Sequence, residues 1–472
     1  MLTPETIYQR LPISLQHVAI SLKGLDLRLR RASTKVMGQE LERLRRSESW
    51  TAAQFLEYQR TQMISTVTRA YEEVPFYRNA WKALGITPAD IQTLEDFTKL
   101  PILSKESVRQ DPRAFVSEKI PSSKLQVGYT SGSTGKPMRY FLTRESFSRK
   151  WAFVARLRMW AGIENPLYPR RAQFTGRDVF GGATGAPTRI NLPGNSLLLS
   201  TTHIREETVG SYLDAIRAWN PVLIDGYPSA LRLLVRLARE RRLEIPRIPA
   251  VITTAETLDD EARLEIEQGF QGKVFNQYSA SEPSCFWSDC EAGNMHIHPE
   301  SGISEIVRDD GTPAGPGEEG RILMTTFLNP AMPLIRYDIG DRAIVAKTSD
   351  CPCGRQMPVV ERVVGRQDDI LYVPGRGYIG RLDPVLKGLD GIIESQIVQE
   401  SLDHIRVQIV PAESFSDLAK TMLERNLRRK VGEDVKISIE LVRSIPRGAN
   451  GKLRAVVTLV RDQYPSNVET PA

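Results

Sequence analysis

The chain is predicted to be an α/β protein: a large, multi-subdomain N-terminal domain with helix-covered, largely parallel sheets, followed by a small α+β C-terminal domain. Three observations predict it. From about Lys124 to Met324 short β-rich runs alternate with amphipathic helices, the pattern of a mostly parallel sheet with helices on its faces. After Gly365-Arg366-Gln367-Asp368-Asp369 the texture changes to strand, strand, helix, strand, glycine-containing loop and strand. At 472 residues the chain is too long for one core and calls for two to four folding units. The boundary is placed so that residues 1–367 form the first domain and 368–472 the second.

Residues 1–75 read as helical and basic, with apolar positions at helical spacing in Ala52–Leu56 and Met63–Val67. The alternating region pairs a strand at Val222–Ile224 with a helix at Ala230–Glu240. A strand at Ala250–Thr253 precedes a helix at Asp259–Gly269, and a strand follows at Val274–Tyr278. Ligands of such sheets sit in loops at the carboxyl ends of the strands. A Gly/Pro-rich, antiparallel-looking part contains Ile303–Val307, Arg321–Thr325 and Arg342–Ala346. The C-terminal domain reads strand (Ile392–Gln399), strand (His404–Val410), helix (Phe415–Val431), strand (Val435–Val442) and a final strand, with a polar tail after Tyr464.

Apolar content of 41% and charged content of 25% are those of a soluble globular protein. The net charge of +6 is mild, and its clusters at Arg28–Arg31, Arg43–Arg46 and Arg428–Lys430 read as solvated helix faces, so no nucleic-acid partner is expected. No apolar run approaches the ~18–20 residues that span a bilayer. Glu5 and Arg10 interrupt any signal-peptide pattern. A cytoplasmic protein is expected, at most peripheral to a membrane, as a monomer or homodimer.

The segment richest in chemistry is Gly128-Tyr129-Thr130-Ser131-Gly132-Ser133-Thr134-Gly135-Lys136-Pro137. Its glycines let backbone N–H groups converge on an anion, its hydroxyls add donors, and Lys136 adds a cation. It fails the Gly-x4-Gly-Lys-Ser/Thr nucleotide motif twice: Thr130 stands five residues before Gly135, and Pro137 follows the lysine. The bland alternative is a surface turn. Four further segments carry chemistry. Thr253-Thr254-Ala255-Glu256-Thr257 is a small-residue strand end on which a flat ring can lie. In Asn276-Gln277-Tyr278-Ser279-Ala280-Ser281-Glu282 an aromatic precedes a carboxylate by four residues, suited to stacking and to a hard cation. In Arg336-Tyr337-Asp338-Ile339-Gly340-Asp341 a carboxylate follows a glycine turn and can take both hydroxyls of a ribose. Pro446-Arg447-Gly448-Ala449-Asn450-Gly451-Lys452 holds a lysine on a loop tip.

In this order and spacing the segments resemble the adenylate-forming superfamily of acyl-CoA synthetases, adenylation domains and luciferases. The nearest likeness is to the phenylacetate–coenzyme A ligase family and its capsular-polysaccharide-associated relatives. Val74-Pro75-Phe76-Tyr77-Arg78, Leu100–Lys105, Gly226-Tyr227-Pro228-Ser229 and Cys351–Arg355 extend the likeness over about residues 70–460. The resemblance implies an AMP-forming ligase that joins a carboxylate to ATP with release of pyrophosphate. It implies that Thr130, Ser131, Ser133, Thr134 and Lys136 hold the β- and γ-phosphates and that Ala255, Glu256 and Tyr278 frame adenine. Glu282 would bind Mg²⁺, Asp341 the ribose, and Arg366 the ribose or α-phosphate. Lys452 would bridge the α-phosphate and the attacking carboxylate, with Asp368 as the hinge of a C-terminal domain that then rotates. Ser279 departs from the family, which usually has glycine after the tyrosine.

The four cysteines, Cys285, Cys290, Cys351 and Cys353, all precede the hinge. In a cytosolic chain such clustering favours a metal over a disulfide. Cys290, His296, Cys351 and Cys353 supply three thiolates and one imidazole, a closed tetrahedral zinc set, with Cys285 or His298 as possible replacements. The same set resembles a zinc site found in part of the family. The acyl pocket is expected along residues 160–180 and at Gly226, Tyr227 and Pro228. Arg158, Arg171 and Arg177 beside it suit either an acidic substrate or internal salt bridges. The acid itself is open, and so is the acceptor: coenzyme A first, an amine or sugar second, with a non-catalytic binding protein as the third reading.

Overall fold

In a computed structural model the described residues are 8, 10–130, 138–175, 187–201, 203–256, 258, 260–282, 284–364, 371–379, 382–386, 389, 391–411, 414–443, 445 and 456–460. The N-terminal quarter is helical: α1 (Ile13–Arg31), α2 (Thr34–Ser47), α3 (Ala52–Glu73), α4 (Pro75–Ala83) and the short α5 (Lys105–Gln110). Helix α3 starts where Thr51 and Gln54 form a reciprocal capping box, which satisfies two of the first turn's orphan N–H groups. A hairpin of β1 (Gln126–Tyr129) and β2 (Arg139–Leu142) leads into α6 (Arg144–Trp160), capped by the Thr143 side chain on Ser146 N.

The strands that follow are β3 (Arg171–Thr175), β4 (Thr188–Asn191), β5 (Ser196–Ser200), β6 (Leu223–Gly226), β7 (Ala250–Thr254) and β8 (Lys273–Tyr278). Helices α7 (Val209–Trp219), α8 (Pro228–Glu240) and α9 (Asp260–Phe270) connect them. Strands β5, β3, β6, β7 and β8 run parallel in that spatial order. One face, Ala172, Phe174, Ile224, Val251 and Val274, is covered by residues of α7, α8 and α9. The other face, Leu223, Ala250, Ile252 and Phe275, packs on Leu157 of α6. Burial on both faces is why these strands are near-continuous apolar runs rather than alternating ones. The expected strand–helix alternation over 222–278 is therefore realised.

The same sheet continues antiparallel through β9 (Trp287–Asp289), β10 (Met295–Ile297), β11 (Gly302–Val307), β12 (Glu319–Thr326), β13 (Tyr337–Val345) and β14 (Val359–Val363). Its full order is β11-β12-β13-β14-β10-β9-β8-β7-β6-β3-β5-β4. This half curls on itself. Trp287 of β9 donates its indole N–H to Ser304 Oγ of β11 at 2.9 Å, although five strand steps separate the two, about 24 Å on a flat sheet. The enclosed core holds Trp287, Ile303, Ile322, Met324, Tyr337, Ile339 and Val360. Arg336 pins the segment between α4 and α5 to it, pairing with Glu305 and donating to the carbonyls of Thr98 and Leu100.

Beyond residue 370 a hairpin of β15 (Leu371–Val373) and β16 (Gly377–Ile379) precedes β17 (Ile392–Ser401), β18 (His404–Pro411), α10 (Asp417–Val431), β19 (Lys436–Leu441) and β20 (Val456–Thr458). These form a separate four-stranded sheet, β19-β18-β17-β20. Leu423, Leu427 and Val431 of α10 cover Ile405, Val407 and Ile409, and the β15–β16 hairpin joins the same core. The order of elements agrees with the α+β reading. The hairpin was not visible in the sequence, because its two strands are only three residues each.

Candidate functional site

The site residues converge where the parallel half of the sheet meets the curled half. Thr254 pairs with Gln277, so Ala255 and Glu256 leave β7 beside Tyr278 at the end of β8. Ala255 turns the chain with φ +70°, in the left-handed region. From the other half, Gly340 at φ +82° sits where the β12–β13 register slips between Arg321 and Leu323. Such a bulge re-aims the neighbouring side chain. Asp341 meets Tyr278 there: the phenol donates to Asp341 Oδ2 at 2.8 Å. Four strand steps lie between β8 and β13, about 19 Å on a flat sheet, so this contact exists only because the sheet closes.

Thr130 directly follows β1 and is 2% exposed. Its N–H donates to Met138 O at 2.9 Å, and its Oγ1 accepts from Met138 N at 2.9 Å, closing the neck of the intervening loop. Met138 accepts from the hydroxyl of Tyr337, on the strand that carries Asp341. Ser131, Ser133, Thr134 and Lys136 lie outside the described residues, as do Arg366, Asp368 and Lys452. The structure thus brings Ala255, Glu256, Tyr278 and Asp341 together, and the Met138–Tyr337 contact ties Thr130 to the strand that carries Asp341.

Glu282 is 3% exposed and follows a loop held from an unexpected direction. Lys150 of α6 donates its ammonium to Ala280 O at 2.6 Å and Ser281 O at 3.3 Å. Burial pushes the Lys150 pKa down to about 8, and the Glu282 carboxylate opposes that shift. Nothing in the sequence signals Lys150. A lysine on an amphipathic helix reads as a solvated side chain.

Gly226 ends β6, Tyr227 is the N-cap residue of α8, and Pro228 is its first residue. A Cβ at Gly226 would stand 2.8 Å from the Cβ of Phe174, so glycine is required by close packing. Just before it, Asp225 takes Arg171 at 2.9 Å and Arg158 at 3.8 Å. Burial lowers the Arg158 pKa to about 9; Arg171 adds to that shift and Asp225 resists it. Of the two readings of these arginines, the internal salt bridge holds for Arg158 and Arg171. Arg177 lies outside the described residues.

A second cluster lies at the ends of β9, β10 and the loop before β14. The donor atoms of Cys290, His296, Cys351 and Cys353 are all within 4.8 Å of one another. Cys290 and Cys351 Sγ stand 3.6 Å apart, and Cys353 Sγ is 3.4 Å from His296 Nε2. A tetrahedral ion with metal–sulfur and metal–nitrogen distances of about 2.3 and 2.0 Å needs separations of about 3.8 and 3.5 Å. The imidazole's other nitrogen, Nδ1, donates to Met357 O at 3.1 Å, which aims Nε2 at the thiols. Ala292 N and Asn294 Nδ2 donate to Cys290 and Cys351. The set could hold a metal ion. Neither proposed replacement joins it. Cys285 is buried against the carbonyls of Ile303 and Thr325, and His298 is enclosed by Arg156 and Ser288.

The chain is similar to known proteins in sequence and in fold. Residues 371–458 match the family described as the CapK C-terminal domain. The chain is 27% identical over 466 residues to protein CapK of Staphylococcus aureus, covering 96% of this chain and 99% of the relative. It is 26% identical over 426 residues to phenylacetate-coenzyme A ligase of Thermus thermophilus, covering 83% of this chain and 94% of that one. Among solved structures, 2-hydroxyisobutyryl-CoA ligase with 2-HIB-AMP and CoA in the thioesterification state aligns with a TM-score of 0.58 at 22% identity, over 89% of this chain and 93% of that one. That likeness shows the fold. The resemblance drawn from the motifs is borne out by these relatives.

The Asp225 cluster yields a stability test. Asp225→Ala leaves the buried Arg158 and the half-buried Arg171 without their carboxylate and should cost about 3 kcal/mol in urea unfolding. Asp225→Asn should recover only part of the loss.

Proposed function

We propose, from the premise that this chain is an AMP-forming ligase related to the phenylacetate–coenzyme A ligases and CapK, that it activates a small carboxylic acid as an acyl-adenylate and passes the acyl group to coenzyme A. The observation that carries the reading is the Tyr278–Asp341 hydrogen bond, which puts an aromatic face and a ribose-competent carboxylate at one point. The buried Glu282 and the neck at Thr130 support it. In this reading Ala255, Glu256 and Tyr278 frame adenine, and Asp341 holds the ribose with Arg366 nearby. Thr130, Ser131, Ser133, Thr134 and Lys136 grip the β- and γ-phosphates, and Glu282 holds Mg²⁺. The chemical difficulty is that two anions must meet at the α-phosphorus. Lys452 answers it as a point charge on a long stem, stabilising charge that develops in the transition state. The domain after Asp368 then rotates, withdraws Lys452 and admits the acceptor. Gly226, Tyr227 and Pro228 border the acyl pocket.

At the metal cluster we propose structural Zn²⁺ on Cys290, His296, Cys351 and Cys353. Three thiolates and one imidazole leave no open position for catalysis.

ATP–pyrophosphate exchange across a panel of carboxylic acids, repeated with thiol and amine acceptors, tests the reading directly. Lys452→Ala should abolish exchange while a supplied acyl-adenylate is still consumed. Equal loss of both half-reactions would overturn the assignment.

Lys150 gives a pH signature. Its folded pKa, about 8, is below the ordinary 10.5, so its cation is lost as pH rises past 8. The unfolded chain binds the extra proton between those values, so this group makes stability rise with pH over the same window. Adenylation should therefore fall above pH 8 without any loss of fold, and Lys150→Arg, whose guanidinium stays charged, should remove that alkaline limb. Metal analysis of purified protein should find one zinc per chain, retained in Cys285→Ala and lost with a lowered melting temperature in Cys353→Ser.

A further inference from the structure

Helix α1 is docked the wrong way round for a globular protein. Leu15, Val18, Leu22, Leu25 and Leu29 recur at alternating three- and four-residue steps and form one stripe. They are 49, 53, 64, 41 and 61% exposed. The opposite side, which faces the body of the protein, is polar. His17 Nδ1 accepts from Ile190 N at 3.0 Å, and Ser21 Oγ donates to Ile190 O at 3.3 Å. Ser21 Oγ also accepts from Leu192 N at 3.2 Å, while Arg28 donates to Pro193 O at 2.9 Å and lies over the Tyr168 ring. Gly24 leaves room for Asn191 where a Cβ would not fit.

This inversion has a cause. Strand β4 ends the twelve-stranded sheet, and its outer N–H and C=O groups would otherwise form an open edge. The polar side of α1 is consumed in capping that edge. The apolar stripe is left outward, and Leu192, 68% exposed in the adjoining turn, extends it.

Charge says what covers the stripe. Residues 10–35 carry Arg10, Lys23, Arg28, Arg30, Arg31 and Lys35 against a single carboxylate, Asp26, a net +5 in a chain whose total is +6. The remaining residues are nearly neutral. Lys23 is exposed and pairs with Asp26 at 3.8 Å. A second copy of the helix would bring like charges together along the seam. An anionic lipid surface neutralises them while burying the leucines.

We propose that α1 is a membrane-surface helix, lying in the interface of an anionic bilayer with Leu15, Val18, Leu22, Leu25 and Leu29 inserted. It binds on the surface and does not span: no helix among the described residues is long and apolar enough to cross a membrane. The inference is independent of the proposed reaction.

Flotation with vesicles of phosphatidylcholine containing roughly one-third phosphatidylglycerol tests it. The full-length protein should float with these vesicles at low ionic strength, float much less with pure phosphatidylcholine, and be released by salt. Leu22→Ser/Leu25→Ser/Leu29→Ser should reduce the bound fraction about tenfold with unchanged circular dichroism. Lys23→Glu/Lys35→Glu, which leaves the stripe intact, should weaken binding to the anionic vesicles alone. Absence of wild-type flotation, or equal flotation of the serine variant, would overturn the proposal. So would light scattering that finds a wild-type dimer dissolved by the serine substitutions, since the stripe would then pair two copies.

Discussion

The closure of the twelve-stranded sheet is the constraint on which the site depends. A flat sheet would hold Tyr278 and Asp341 about 19 Å apart, and the folded chain holds them at 2.8 Å. Two features impose the closure. The core of the curled half, with Trp287, Met324 and Tyr337 at its centre, can leave water only if its strands wrap. Trp287 carries a polar N–H into that core and reaches Ser304 across it. The site is thus a consequence of how the antiparallel half buries itself, and the parallel half supplies the rigid strand ends that meet it.

This explains which parts were legible in the sequence. Strands β6, β7 and β8 and their helices were readable because burial on both faces makes them short apolar runs between helical patterns. Helix α10 was readable too, and it starts at Asp417 rather than Phe415 because Ser416 caps it. The candidate residues Thr130, Ala255, Tyr278 and Asp341 were found as separate motifs. Their convergence was not readable, since it links residues 63 positions apart through a sheet that must first curl. Lys150 stayed hidden because only its distant partners, the carbonyls of Ala280 and Ser281, distinguish it from any surface lysine.

The thiol cluster shows the limit of spacing from the other side. Spacing left Cys285 and His298 open as ligands, and the partners that already engage them decide against both. His298 has each ring nitrogen engaged, one by Arg156 and one by Ser288, and burial with the adjacent Arg156 charge holds its pKa well below the ordinary value. It serves the buried Arg156–Glu300 pair, to which Ser47 also donates. Such a pair offsets its desolvation only when further hydrogen bonds accompany it, and here His298 takes a guanidinium N–H and Ser47 donates to the carboxylate.

Helix α6 links these separate parts. Lys150 holds the loop before Glu282, Arg156 holds Glu300, Arg158 reaches Asp225 beside Gly226, and Trp160 stands against the His296 ring. At 1.5 Å per residue these four span about 15 Å of one rod. The C-terminal end of α6 packs through Trp160 on Cys290 and Met357 at the thiol cluster, while Lys150, about three turns earlier on the same rod, holds the loop before Glu282.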